Sequence, residues 1–293
     1  MSETAPDLAP RKDHNQENFP VASFVLKPAH RPPIMAFYRF ARLADDISDH
    51  PTLPAAQKLV ELEKMRASLA GEGEADPTSA ALRHVLAERG VTDQHGLDLL
   101  AAFRQDVSKT RYADWAELMD YCRYSAMPVG RFVLDVHGES RATWPANDAL
   151  CAALQVINHL QDCAKDLREL DRCYLSQDAL AAAGATIDDV GQPSATPALR
   201  SVIVSMARKT GELLDVSRPF ARQIKDARLA YEVALIQRLA EDLTARLIAH
   251  DPLSERVHHR PLEVLGLAIR AGLDQIGGGR RGPSKVAPAG GAQ

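Results

Sequence analysis

Apolar residues recur at three- and four-residue spacing along most of the chain, and no stretch alternates at the period of a strand. Between about Ile34 and Asp49, the residues Phe37, Phe40, Leu43, Ala44 and Ile47 gather on one side of a helix that His50-Pro51 ends. The pattern predicts a second helix over Pro54 to Leu69, with Leu59, Leu62, Met65 and Leu69 in register, then a loop from Gly71 to Pro77. Helices follow at 78–89, 93–107 and 114–125, with Gly90 as a C-terminal stop and Asp93 as an N-cap. Pro128 and Gly130 then interrupt an apolar pattern that runs on through Phe132, Val133 and Leu134. Two readings stay open there: a plain break between helices, or a bent helix shaping the wall of a cavity.

A long helix is expected from Asp148 to about Asp171, followed by a short one closed by Gly184 and a loop from Gly191 to Pro197. Helices at about 197–215 and 218–249 come next, the latter with Ile224, Tyr231, Leu235, Leu239 and Leu243 on its apolar side. A break at His250-Asp251-Pro252 precedes a last helix near 261–275. The sum is an all-α helical bundle. Residues 1–17 and the Gly/Pro/basic tail 277–293 are expected to be disordered flanks of one domain spanning 18–276.

Composition narrows the function. The chain is 45% hydrophobic but only 5% aromatic, and its net charge of −4 gives no basic stripe for nucleic acid. Cys122, Cys151, Cys163 and Cys173 show no CxxC spacing, which argues against a disulfide framework or a zinc-thiolate site. No run of about 18 apolar residues exists, so a cytoplasmic protein with at most peripheral contact at the inner membrane is expected. No phosphate-binding Gly-rich loop and no H-E-x-x-H is found, and His258-His259 reads as a surface pair near a helix start.

Two polar faces stand out. At about 100° per residue, Tyr38, Arg42, Asp45 and Asp49 fall within an arc of about 60°, opposite the apolar side of the first helix. On the second acidic helix, Asn158, Asp162 and Asp166 rise about 6 Å per rung, with Gln155 beside them. Either face could be a solvated surface, the second paired with Lys165 and Arg168. Together they could instead hold Mg²⁺, which takes carboxylate and phosphate oxygens, with Arg42 and Arg172 supplying forked donors for a diphosphate. An aromatic, water-poor pocket would then hold the carbocation left behind.

Asp45-Asp46-Ile47-Ser48-Asp49 resembles the D-x-x-x-D motif of the squalene/phytoene synthase family, and Asn158-His159-Leu160-Gln161-Asp162-Cys163-Ala164-Lys165-Asp166 resembles its N-x-x-x-D-x-x-x-D motif. The likeness runs from about Asn18 to Pro261. Within the family, the segments Asn18 to Phe24, Ala36 to Arg42, Tyr121 to Ser125 with Pro128-Val129-Gly130, and Asp251 to His258 look like its bacterial hydroxysqualene-forming branch. The resemblance implies an isoprenoid-synthase helical bundle around a central apolar cavity. It implies an enzyme, a carbon–oxygen lyase, that releases diphosphate from presqualene diphosphate with Mg²⁺. Water then captures the rearranged cation as hydroxysqualene, a squalene precursor on the route to hopanoids.

By the same likeness, Asp45, Asp49, Asn158, Asp162 and Asp166 are metal ligands, and Tyr38 and Arg42 join the aspartates in catalysis. Substrate contacts are implied for Pro20, Val21, Ala22, Ser23, Phe24, Tyr38, Arg42, Tyr121, Ala126, Val129, Gly130, Gln155 and the R-x-Y pair Arg172 and Tyr174. Functional coupling to a presqualene diphosphate synthase and a hydroxysqualene reductase is implied too. Gln161 stands where many relatives carry Arg, and Tyr174-Leu175-Ser176 replaces Tyr-Leu-Pro. No C-terminal anchor helix is expected, which points away from the reductive, NADPH-using type. The rival readings are a head-to-head condensing prenyl synthase and a non-catalytic prenyl-lipid-binding or assembly protein; all five acidic and amide ligands are present.

Overall fold

Prolines, glycines and capping side chains set most helix boundaries. The computed structural model describes residues 27–73, 76–260, 263, 264, 267, 268 and 271. The expected flanks 1–17 and 277–293, the Pro20 to Phe24 segment and most of the helix near 261–275 lie outside them, although the described residues 263, 264, 267, 268 and 271 are helical.

Helix α1 (Arg31–Ser48) opens on Pro32 and Pro33, where a missing N–H removes no helical bond. It buries Phe37, Phe40, Ala44 and Ile47 and turns its acidic face the other way, as its periodicity predicts. Helices α2 (Ala55–Ala70), α3 (Pro77–Arg89) and α4 (Gln94–Asp106) follow. Gly71 and Gly90 stop the first two in the left-handed conformation that glycine adopts without strain. Asp93 occupies the N-cap position of α4 without a side-chain bond; the Thr92 hydroxyl receives the Gln94 N–H instead, at 3.2 Å.

Helix α5 (Trp115–Ser125) meets α6 (Met127–Val136) at Ala126, with φ −121° and ψ −48°. Ala126 N–H still donates to Cys122, and Val129 N–H to Ala126, so the chain bends at Ala126 with its bonding nearly intact. Pro128 falls in the first turn of α6, where it is tolerated.

The expected Asp148 to Asp171 helix is two helices, α7 (Trp144–Gln161) and α8 (Cys163–Leu170), joined at Asp162 with φ −102° and ψ 9°. The joint keeps the one-turn spacing. Asp162 N–H donates to Asn158 at 2.9 Å and Asp166 N–H to Asp162 at 2.8 Å. Helices α9 (Gln177–Ala183), α10 (Ile187–Val190) and α11 (Pro197–Ser217) come next. The expected 218–249 helix also divides, into α12 (Phe220–Gln223) and α13 (Ala227–Ala249). Its interruption has a cause: the buried Glu139 carboxylate takes the N–H groups of Lys225 and Asp226, and Asp226 in turn caps α13.

Among the described residues the sole β feature is an isolated bridge between Arg111 and Cys173. Ala152, Ala153, Val156, Ile157 and Leu160 of α7 are fully enclosed, and α7 packs on α5, α6, α11 and α13. Helix α6 approaches it tightly at Gly130. A Cβ on Gly130 would sit 2.0 Å from Asn147 Oδ1 and 2.7 Å from Cys151 Sγ, so only glycine allows that approach. His258-His259 is not a surface pair, because the His259 side chain is 8% exposed with Nε2 3.0 Å from Asp242.

Candidate active site

The first acidic face carries its own cation. Arg42 Nη1 lies 2.8 Å from Asp45 Oδ2, and Nη2 lies 2.7 Å from Asp46 Oδ1. One guanidinium fork thus offsets two carboxylates on consecutive residues. Asp49, one turn on, is held by Arg172 Nη1 at 2.7 Å. Arg172 also donates from Nη2 to the Asp106 carbonyl at 3.0 Å, which ties α1 to the end of α4. Burial alone would lower the Arg172 pKa, but Asp49 and Asp106 raise it above the ordinary value and keep the guanidinium charged. Lys58 closes the same corner by donating to the Ser48 carbonyl at 2.8 Å, its pKa lowered chiefly by burial.

The second face is electrostatically different. Among the described residues Asp162 has no ion pair, and the sole charge-capable group near Asp166 is His159, with Nδ1 at 3.9 Å. Burial lowers the His159 pKa and favours the neutral ring. Tyr174 stacks on that ring with centroids 3.4 Å apart and planes 13° apart. The R-x-Y element therefore reaches both motifs, Arg172 gripping Asp49 of the first and Tyr174 bracing His159 of the second. Tyr112, Tyr121 and Tyr174 form a buried aromatic cluster behind them, and the Tyr121 hydroxyl donates to Asp106 Oδ2 at 2.9 Å. Burial pushes the Asp106 carboxyl up to about 7.

Both faces open on one cavity of about 460 Å³, within the size range of small-molecule sites. Tyr38, Arg42 and Asp45 from α1 and Gln155 and Asn158 from α7 line it together. Ile34, Phe37, Phe103, Phe132, Leu150 and Leu154 are among the residues that make the rest of its wall apolar. Phe37 and Phe132 stack with centroids 4.0 Å apart. Ala126, Val129 and Gly130 line it as well, so the bent α5–α6 segment does shape a cavity wall. Val129 is a wall residue and 42% exposed, and the cavity reaches the surface beside it.

Asp49, Asp162 and Asp166 are not wall residues. Tyr121, Arg172 and Tyr174 are buried behind the motifs rather than set on the wall. Pro20, Val21, Ala22, Ser23 and Phe24 lie outside the described residues. Phe103 and Glu232 went unmarked in the sequence. Glu232 is 5% exposed and places a carboxylate among Leu229, Val233 and Ile236 of α13 on the cavity wall. A buried acid in an amphipathic helix is hidden from periodicity, which reads it as part of the polar face.

The donor set of the two motifs is all oxygen, which suits Mg²⁺. Among the described residues Asp162 and Asp166 have no lysine or arginine ion pair, which leaves their charge for a metal ion to offset. Among the described residues the motif carboxylates do not form a cage of three mutually close ligands. Mg²⁺ shared with substrate phosphate oxygens needs none, since one or two carboxylates suffice.

Residues 12–263 match the squalene/phytoene synthase family model. The chain is 56% identical over 271 residues to a hydroxysqualene synthase of Zymomonas mobilis subsp. mobilis, covering 92% of this chain and 91% of that one. It is 54% identical over 273 residues to a hydroxysqualene synthase of Rhodopseudomonas palustris, covering 93% and 94%. The crystal structure of squalene synthase HpnC from Alicyclobacillus acidocaldarius superposes with a TM-score of 0.69 at 34% identity, covering 78% of this chain and 86% of that one. The oxygen-bearing motifs, the cavity between them and these likenesses agree, and the chain belongs to the squalene/phytoene synthase family.

Proposed function

We propose that the protein converts presqualene diphosphate and water into hydroxysqualene and diphosphate. The observation that carries this reading is that Asp45, Arg42 and Tyr38 share one apolar cavity with Gln155 and Asn158. The kinship with two hydroxysqualene synthases at 56% and 54% identity favours this product over head-to-head condensation or lipid carriage.

In this reading the diphosphate lies at the polar end and the hydrocarbon fills the apolar wall. Asp45, Asp49, Asn158, Asp162 and Asp166 would hold Mg²⁺ at that polar end. The metal supplies charge neutralisation for the leaving group. Arg42 keeps Asp45 and Asp46 from repelling each other and presents its fork at the same end. The ester C–O bond breaks with its electron pair going to diphosphate. Phe37, Phe103 and Phe132 keep bulk water from the resulting cation and offer it ring faces. One water oxygen then forms the new C–O bond. Glu232 attracts the developing positive charge and takes the proton that the added water loses. Tyr121, Arg172 and Tyr174 act behind the site by fixing Asp49 and His159.

No helix among the described residues is long and apolar enough to cross a membrane. The greasy product is delivered by peripheral contact at the inner membrane, with the protein in the cytoplasm. A presqualene diphosphate synthase supplies its substrate and a hydroxysqualene reductase consumes its product. Incubation with presqualene diphosphate or with farnesyl diphosphate separates the readings. A C30 alcohol from the former alone supports the assignment, whereas efficient consumption of farnesyl diphosphate sinks it in favour of a condensing synthase.

A further inference from the structure

A second cluster of ligand-type side chains lies outside the acidic motifs. His30 ends a short 3-10 turn (Pro28–His30) just before α1, His137 follows the last residue of α6, and Asp226 caps α13. One donor atom of each lies within 4.8 Å of the other two. The two imidazole rings are 4.2 Å apart, centroid to centroid, and tilted by 37°.

The tautomer of His137 follows from its partner. Its Nδ1 lies 2.8 Å from the Val133 carbonyl, and a carbonyl can only accept, so Nδ1 carries the proton. The neutral ring then keeps its lone pair on Nε2. That Nε2 and the Nδ1 of His30 are both buried without a hydrogen-bond partner. Burial first, then His137, lowers the His30 pKa, which favours the neutral, ligating ring. Packing alone does not explain two buried nitrogens left without partners beside a carboxylate. The carboxylate already attracts a cation: Lys27 Nζ lies 2.6 Å from Asp226 Oδ2, on a side chain that is 54% exposed and free to swing away.

We propose that His30, His137 and Asp226 form a binding site for a divalent transition metal of the zinc class, which displaces the Lys27 ammonium. Two imidazoles and a carboxylate leave one position open in a tetrahedral shell. Imidazole ligands select Zn²⁺, Co²⁺ or Ni²⁺ over Mg²⁺, so the site is chemically distinct from the all-oxygen motifs. The Val133 carbonyl on the far side of the His137 ring is the outer partner that orients metal-binding histidines. Zinc bonds of 2.0–2.1 Å place tetrahedral ligands about 3.3 Å apart. The donor atoms therefore need to close by no more than about 1.5 Å from their present limit of 4.8 Å. The metal would clip together the turn before α1, the end of α6 and the start of α13. Those helices carry Ile34, Phe132, Val133 and Leu229, all on the cavity wall.

The test uses the full chain without a histidine tag, stripped with chelator and then dialysed against Zn²⁺ or Co²⁺ with Mg²⁺ in excess. The expected result is one equivalent of Zn²⁺ per chain by elemental analysis, a tetrahedral Co²⁺ absorption spectrum and a raised melting temperature. His30→Ala and His137→Ala should each lose the equivalent, and Asp226→Asn, which keeps a capping oxygen, should weaken it at least tenfold. Lys27→Ala should bind more tightly, and Asp45→Asn should be unaffected. His137→Gln, checked for native circular dichroism, guards against a folding defect. Zinc uptake no greater than that of the His30→Ala/His137→Ala double variant would overturn the proposal. So would uptake lost in Asp45→Asn but kept in His137→Ala, which would assign the metal to the acidic motifs.

Discussion

Replacing Asp106 by Asn should stabilise the protein, and should do so increasingly as pH rises. The Asp106 carboxyl is 6% exposed, and burial lifts its pKa from 3.8 to about 7 despite the neighbouring Arg172 and the Tyr121 hydroxyl. A folded-state value above the unfolded one means that the folded chain holds the proton more tightly. Ionisation therefore opposes folding, beginning above the unfolded value of 3.8 and complete above about 7. At 1.36 kcal/mol per unit, the penalty is about 2 kcal/mol at pH 5 and about 4 kcal/mol at pH 8.5. Asn keeps an oxygen for the Tyr121 hydroxyl and cannot ionise. Urea unfolding of both proteins at these two pH values should show the Asn variant gaining about 2–3 kcal/mol relative to wild type between them. If the two stabilities move in parallel with pH, Asp106 is not the desolvated acid that its surroundings imply.

Gly130→Ala should destabilise by about 1–3 kcal/mol, because its Cβ would press on Asn147 and Cys151. Adding Asn147→Ala should recover part of that loss in a double-mutant cycle, and strict additivity would show that the α6–α7 approach is not the cause. Arg172→Lys cannot hold Asp49 and the Asp106 carbonyl with one forked group, so a loss of about 2–3 kcal/mol and a lower kcat are expected by denaturation and turnover assays. Glu232→Gln keeps the shape of the cavity wall but removes its charge. Its kcat should fall roughly tenfold or more with KM little changed, and the product should shift from alcohol towards hydrocarbon by mass spectrometry.

What the sequence disclosed and what it hid divide along the range of the interactions. The face carrying Tyr38, Arg42, Asp45 and Asp49 was legible because a helix repeats locally, and the structure places three of those four on the cavity wall. The rungs Asn158, Asp162 and Asp166 keep their spacing through a joint that periodicity did not reveal, because the hydrogen bonds across Asp162 remain helical. The interruption before α13 was hidden for another reason. Its cause is Glu139, nearly ninety residues earlier, and no local window contains both partners. Arg172 was legible as a neighbour of the second motif, but its grip on Asp49 of the first is a tertiary fact. Phe103 and Glu232 reach the cavity from helices whose patterns carry no sign of it. His259 folds back onto Asp242 of α13, where adjacent histidines alone suggested solvent.

In the proposed reaction, oxygen groups from α1 and the α7–α8 joint work on one substrate, whose cation is then captured by water. Turnover of presqualene diphosphate with Mg²⁺ in ¹⁸O-labelled water tests it most directly, with Asp45→Asn and Asp162→Asn run alongside. The expected product is a C30 alcohol carrying one ¹⁸O atom, abolished by chelator and reduced roughly a hundredfold or more in each variant. An unlabelled alcohol, or full turnover by either variant, would contradict it.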